Sequence, residues 1–185
     1  MLKLLRTRVI FLIALCLAAG PLVSRAGDSG PSEPQLKAAF LLNFPKYVQW
    51  PSNALAETNS PIVVGIVGND NVAQEFAAMS QGKVIEGHPI RLLRPATAAQ
   101  CHGCQILFVG AGETRKLPEI AGQLKGSSIL TVGESDEFID QGGMINLARR
   151  ERRIVLEVNL DATRQSELKI SSKLMALATV KGGKK

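Results

Sequence analysis

The sequence predicts an α/β protein: a mostly parallel sheet with helices on both faces, followed by an antiparallel C-terminal hairpin and a terminal helix. Three observations carry this expectation. Short continuous apolar runs such as "PIVVGIVGND" and "QILFVGAGE" alternate with stretches of helical spacing, as strands buried on both faces require. Three of the runs end in the same way, at Val67-Gly68, Val109-Gly110 and Val132-Gly133. Late in the chain "MINLARRERRIVLEVNL" switches to apolar and polar alternation on either side of Arg150-Glu151-Arg152, which is the pattern of an antiparallel hairpin on a sheet edge.

Taken in order, residues 1–26 have a cationic start (Lys3, Arg6, Arg8), an apolar run from Val9 to Gly20, and small residues at Ser24 and Ala26. That grammar predicts a secretory signal peptide cleaved after Ala26, because an apolar run of about 12 residues falls short of the roughly 20 that span a bilayer. Residues 27–33, with their Gly, Ser and Pro, form a flexible leader. A single domain is expected over residues 34–180, with a short basic tail at 181–185. Leu36, Ala39, Phe40 and Phe44 share a helical face, and Pro45 should break that helix before Tyr47 and Trp50. "NVAQEFAAMSQGK" predicts a helix buried through Val72, Phe76 and Met79. "IRLLRP" and "SSILTVGE" predict strands; "LPEIAGQL" and "SDEFIDQGG" predict short helices, the latter ended by its glycines. In "DATRQSELKISSKLMALATV" the residues Ile170, Leu174 and Leu177 fall on one face of the terminal helix.

Charge excludes one class of function. Of the formal +6, four charges (Lys3, Arg6, Arg8, Arg25) leave with the signal peptide, and Lys181, Lys184 and Lys185 sit in the tail, so the body is close to neutral. A nucleic-acid surface needs basic residues clustered on a folded face, and the sequence offers none.

Candidate chemistry is sparse. Loops after Gly68, Gly110 and Gly133 would line the crevice of a parallel sheet, which allows a small-molecule site. Acids follow each of them (Asp70, Glu113, Glu134, Asp136), neither GxGxxG nor a P-loop occurs, and strand-to-helix turns, with the acids at helix starts, explain these residues without a ligand and are the preferred reading. With only His88 and His102, no nucleophile has an identifiable base. We therefore expect no catalytic residue, no metal and no cofactor. In "CHGCQILFVG", Gln105 stands where a c-type haem signal needs His, and adjacent Cys101 and His102 suit a zinc ion poorly. Cys104 runs into a strand and not a helix, unlike a thioredoxin dithiol. In an oxidising compartment the remaining reading is a local Cys101–Cys104 disulfide, with a redox role as its rival.

Two longer stretches carry a resemblance. "LKAAFLLNFPKYVQWP" (residues 36–51) is similar to the N-terminal signature of the YfiR family of periplasmic proteins, and "GGMINL" followed by "VLEVNLDATRQSELKISSKLMALA" is similar to its C-terminal one. "GCQILFVG" stands at the family's cysteine-led strand. Departures are Leu42 and Leu147, where members commonly carry aromatics, and Pro45. The resemblance implies a periplasmic, typically homodimeric repressor with no activity of its own. Its partner would be the periplasmic sensor domain of a membrane-bound diguanylate cyclase, and an outer-membrane lipoprotein would relieve repression. Asn43, Phe44, Tyr47, Trp50, Lys169, Ser171 and Lys173 lie in the resembling stretches and are the candidate partner-binding residues. Each also has a plainer role open to it, as cap, turn or core. The competing function is a periplasmic small-molecule-binding module built on the three Val-Gly loops.

Overall fold

Ser32 caps the first described helix. Its Oγ accepts from the Gln35 backbone N–H at 3.3 Å, and Gln35 Oε1 accepts from the Ser32 N–H at 2.9 Å, a reciprocal box with Pro34 in the first turn. Such a cap contributes about 1 kcal/mol, enough to start the helix inside the stretch expected to be leader. The computed structural model describes residues 30–55, 59–96, 98–124, 127–151 and 153–182; the signal peptide expected at 1–26 lies outside them. The described residues from 31 onward form one compact unit.

Helix α1 (Glu33–Asn43) passes into a 3-10 turn at Phe44–Lys46, where Pro45 removes a helical donor. Then come strand β1 (Val48–Gln49), β2 (Ile62–Val67), α2 (Asp70–Ser80), β3 (Val84–Ile85), β4 (His88–Leu93) and β5 (Ile106–Val109). A 3-10 segment, Ala111–Lys116, leads into α3 (Leu117–Gln123). The chain continues through β6 (Leu130–Gly133), β7 (Ile145–Arg150), β8 (Arg153–Asn159), α4 (Leu160–Gln165), β9 (Lys169–Ile170), α5 (Ser172–Met175) and β10 (Ala178–Lys181).

Eight strands form one sheet in the order β10-β8-β7-β6-β5-β2-β4-β3, parallel except for the β7–β8 and β3–β4 pairs. This is the predicted α/β class. Strand β5 shows why its run is apolar throughout: Ile106 and Phe108 face a core under α1 and α2, while Leu107 and Val109 face a second core under α3. Burying each large side chain stabilises by about 1.5–3 kcal/mol, so the two layers rest mainly on this alternation.

Four local features differ from the sequence expectation. Helix α1 buries Lys37, Ala38 and Leu41, and leaves Leu36, Ala39 and Phe40 half-buried, because Lys37 has an ion-pair partner far along the chain. Residues 135–143 make successive turns and no helix, and the Phe138 ring packs directly against Gly133 and Gly143. The β7–β8 hairpin is present, with register from Ile145↔Val158 to Arg150↔Arg153, but β10 adds in parallel beyond β8 and takes the edge. The C-terminal helix is present in two short pieces. Asn159 Oδ1 caps α4 and Ser171 Oγ caps α5, with β9 between them and β10 after them. Those caps stop the helix from running through Ile170, Leu174 and Leu177, and Leu177 is left 77% exposed.

Candidate functional site

The two resembling stretches meet away from the sheet. Strand β1 pairs antiparallel with β9 through Val48↔Ile170 and Gln49↔Lys169, and the Ser171 N–H donates to the Tyr47 carbonyl at 2.8 Å. This small ribbon walls a groove of about 470 Å³. Four sequence candidates line it: Tyr47, Trp50, Lys169 and Ser171. Three do not. Phe44 is 1% exposed and belongs to the core. Asn43 is exposed, but its amide is engaged locally, donating to the Ala39 carbonyl and accepting from Lys46 Nζ, both at 2.8 Å. Lys173 is exposed on α5, outside the lining.

The opposite wall was invisible in the sequence because the β3–β4 hairpin supplies it. Glu86, at φ +51°, and Gly87, at φ +85°, make the tight turn, and Glu86 and His88 reach the groove. His88 Nδ1 donates to the Ser60 carbonyl at 2.8 Å, which fixes the ring. Val48 and Ile62 give an apolar floor, and exposed Lys46 and Lys169 give a cationic rim.

The cysteine turn holds this groove to the sheet. Cys101 and Cys104 are both buried, and the Cys104 N–H donates to the Cys101 carbonyl at 2.9 Å. A hydrogen bond between the two sulfurs holds the Cys101 thiol below its ordinary pKa, whereas that bond and burial push Cys104 well above its own. Gln105, next in line, is 6% exposed and joins three segments. Its side chain accepts from the Val63 N–H at 2.8 Å and donates to the Ala54 carbonyl at 3.1 Å, and its carbonyl accepts the Trp50 indole N–H at 3.2 Å. Trp50 is therefore fixed by one edge while the rest of its ring lines the groove.

The crevice of the parallel sheet has another occupant. The connection after β2 runs to β3 and β4 on one side and that after β5 runs to β6 on the other, so the switch point lies between β2 and β5, at Gly68 and Gly110. There the strand ends close on each other: a Cβ at Gly110 would lie 2.4 Å from the Gly68 carbonyl oxygen. Over them sits Glu134, whose side chain is only 7% exposed. Its Oε1 accepts from Asn69 Nδ2 at 2.9 Å and from the Ala111 N–H at 3.0 Å, and its Oε2 pairs with Lys37 Nζ at 2.6 Å. Lys37 also pairs with Glu33 at 2.5 Å, and Arg149 reaches Glu33 at 2.8 Å. Among the described residues no group of three or more His, Cys, Asp or Glu could hold a metal ion, and no helix is long and apolar enough to cross a membrane.

The fold is thus an open α/β domain carrying a groove with Lys46 and Lys169 at its rim and Val48 and Ile62 beneath. The chain belongs to the YfiR/HmsC-like family, whose pattern matches residues 34–179, a regulatory family associated with the periplasm and with cyclic di-GMP signalling. No curated protein matches the sequence. Among solved structures the fold is similar to a conserved domain protein from Vibrio cholerae O1 biovar El Tor, at 10% identity and a TM-score of 0.57, over 82% of this chain and 61% of that one. It is also similar to the ABC domain in complex with L-Trp from Streptococcus pneumoniae, at 8% identity and a TM-score of 0.55, over 80% of this chain and 60% of that one. The chain thus spans about three-fifths of the length of either structure, and the likeness concerns fold alone.

Proposed function

We propose that this protein is exported to the periplasm, binds the sensor domain of an inner-membrane diguanylate cyclase, and holds the cyclase inactive, lowering cyclic di-GMP. One observation supports this above the rest: two stretches more than a hundred residues apart, 36–51 and 169–171, are brought to a single groove. A repressor of this kind works by differential affinity, binding the inactive arrangement of its target more tightly than the active one. Moving a population from almost wholly active to almost wholly inactive needs about 5.5 kcal/mol of such preference. An aromatic anchor beside a cationic rim supplies energy on that scale, because a few buried aromatic and charged contacts carry most of an interface. Tyr47 and Trp50 are the proposed anchors, and Lys169 and Ser171 the polar contacts. The same reading makes the protein a homodimer and assigns an outer-membrane lipoprotein as the agent that sequesters it.

The test is genetic and biophysical together. Deleting the gene raises cellular cyclic di-GMP and biofilm, and a secreted wild-type copy restores both, while a copy retained in the cytoplasm does not. A secreted Lys169→Glu copy with wild-type circular dichroism binds the cyclase's periplasmic domain about 30-fold more weakly and fails to complement. Unchanged cyclic di-GMP in the deletion strain, with a membrane-bound diguanylate cyclase shown to be expressed, overturns the reading.

A further inference from the structure

We infer that the switch-point crevice is a carboxylate-binding site whose occupant, Glu134, is built into the chain. Open α/β sheets bind their ligands outside the carboxyl ends of the strands at this point. Here three donors from three separate segments converge there on one carboxylate: Lys37 Nζ from α1, Asn69 Nδ2 from the loop after β2, and the Ala111 N–H from the segment after β5. The carboxylate arrives on a fourth, the loop after β6.

Each donor is held by something other than Glu134. Asn69 is fixed through its own Oδ1, which caps α2 by accepting the Val72 N–H at 3.1 Å. The Ala111 N–H follows Gly110, whose N–H donates to the Val67 carbonyl at 2.8 Å and whose carbonyl accepts the Glu113 N–H at 2.9 Å. Lys37 keeps Glu33. The cradle therefore persists when the carboxylate is deleted, and the deletion leaves the Lys37 ammonium, on a side chain only 6% exposed, with less compensation than burial demands. A cavity of about 340 Å³ lined by Lys37, Asn69, Ala111 and Glu134 opens onto the cradle; Glu33, which also lines it, is held by Lys37 and Arg149. The ligand class follows from the donor set: a small monocarboxylate, with one oxygen on Asn69 and Ala111 and the other on Lys37. In the intact protein Glu134 takes all three donors, so a free carboxylate would meet them already engaged.

Chemical rescue tests this, and its result is independent of the cyclase reading. Glu134→Ala lowers the melting temperature by roughly 10 °C, the scale on which a buried ion pair loses one partner. Sodium formate near 100 mM then raises the variant's melting temperature by roughly 4 °C, saturably, whereas sodium chloride at equal ionic strength does not. Lys37→Met/Glu134→Ala shows no formate effect, and neither does Glu134→Gln, whose amide still fills the space. If Glu134→Ala does not fold in chloride, the readout becomes the yield of folded protein refolded in formate against chloride. Equal yields, equal stabilisation by chloride, or a matching formate effect in Glu134→Gln each overturn the inference.

Discussion

Phe138 shows how much one side chain can demand of its neighbours. Its ring is fully buried, and a Cβ at Gly133 or at Gly143 would come within 2.1 Å of it. These glycines are a seat for the ring, which is the physical content of the third Val-Gly pair and of the Gly-Gly preceding Met144. We expect Gly143→Ala to destabilise the fold by about 2–3 kcal/mol, the range for forcing a methyl into a packed core. Phe138→Leu in the same chain should recover part of that loss, because a smaller side chain vacates the clash. Urea midpoints of the two single variants and the double variant measure it, and strict additivity would show that the ring is not what the methyl meets. The glycines were legible in the sequence as turn residues. The ring that excludes a side chain from them was not, because nothing local links positions 133, 138 and 143 to one point in space.

At the scale of the element, α1 is placed by charge as well as by apolar packing. Apolar spacing alone put Leu36, Ala39 and Phe40 inward; the helix instead turns Lys37 in, where Glu134 and Glu33 receive it. Lys37 is the main cause holding the Glu33 carboxyl below the ordinary carboxylate range; partial burial opposes the shift, and Arg149 adds to it. A depressed folded-state pKa makes the sign unambiguous. The stability Glu33 contributes is fully present above its unfolded pKa and is lost as pH falls through its folded one. The melting-temperature gap between wild type and Glu33→Gln should therefore be widest near neutrality and close below about pH 4, in low salt so that the exposed Arg149 pair is not screened. A gap that stays constant down to pH 3 would show that Glu33 acts through its shape and not its charge. The division of the C-terminal helix into α4 and α5 has an equally local cause, since Asn159 and Ser171 each cap a new start. The sequence left a cap role open for Ser171 and read Asn159 as part of the hairpin, because the apolar run around both obscured where each helix starts.

Across the whole molecule, export, the cysteine staple and the groove belong to one expectation, and one measurement addresses the first two. Intact mass of the protein recovered from periplasm should correspond to a chain beginning at Gly27 and about 2 Da lighter than its reduced form, with no thiol alkylated in the absence of reductant. A heavier chain retaining Met1, or two labelled thiols, would remove the staple from its compartment. The sequence by itself determined the fold class, the strands β2, β5 and β6, the helices α2 and α3 and the β7–β8 hairpin, because apolar period and turn chemistry act over a few residues and are written there directly. Tertiary structure alone decided the rest. It brought β1 to β9 and placed the β3–β4 hairpin opposite them, so that Tyr47, Trp50, Lys169 and Ser171 share one groove with His88. It also filled the crevice with Glu134 from a remote loop. Neither could be read locally, since a groove and an ion pair across 97 residues exist only once burial of two apolar faces has fixed where every strand end lies.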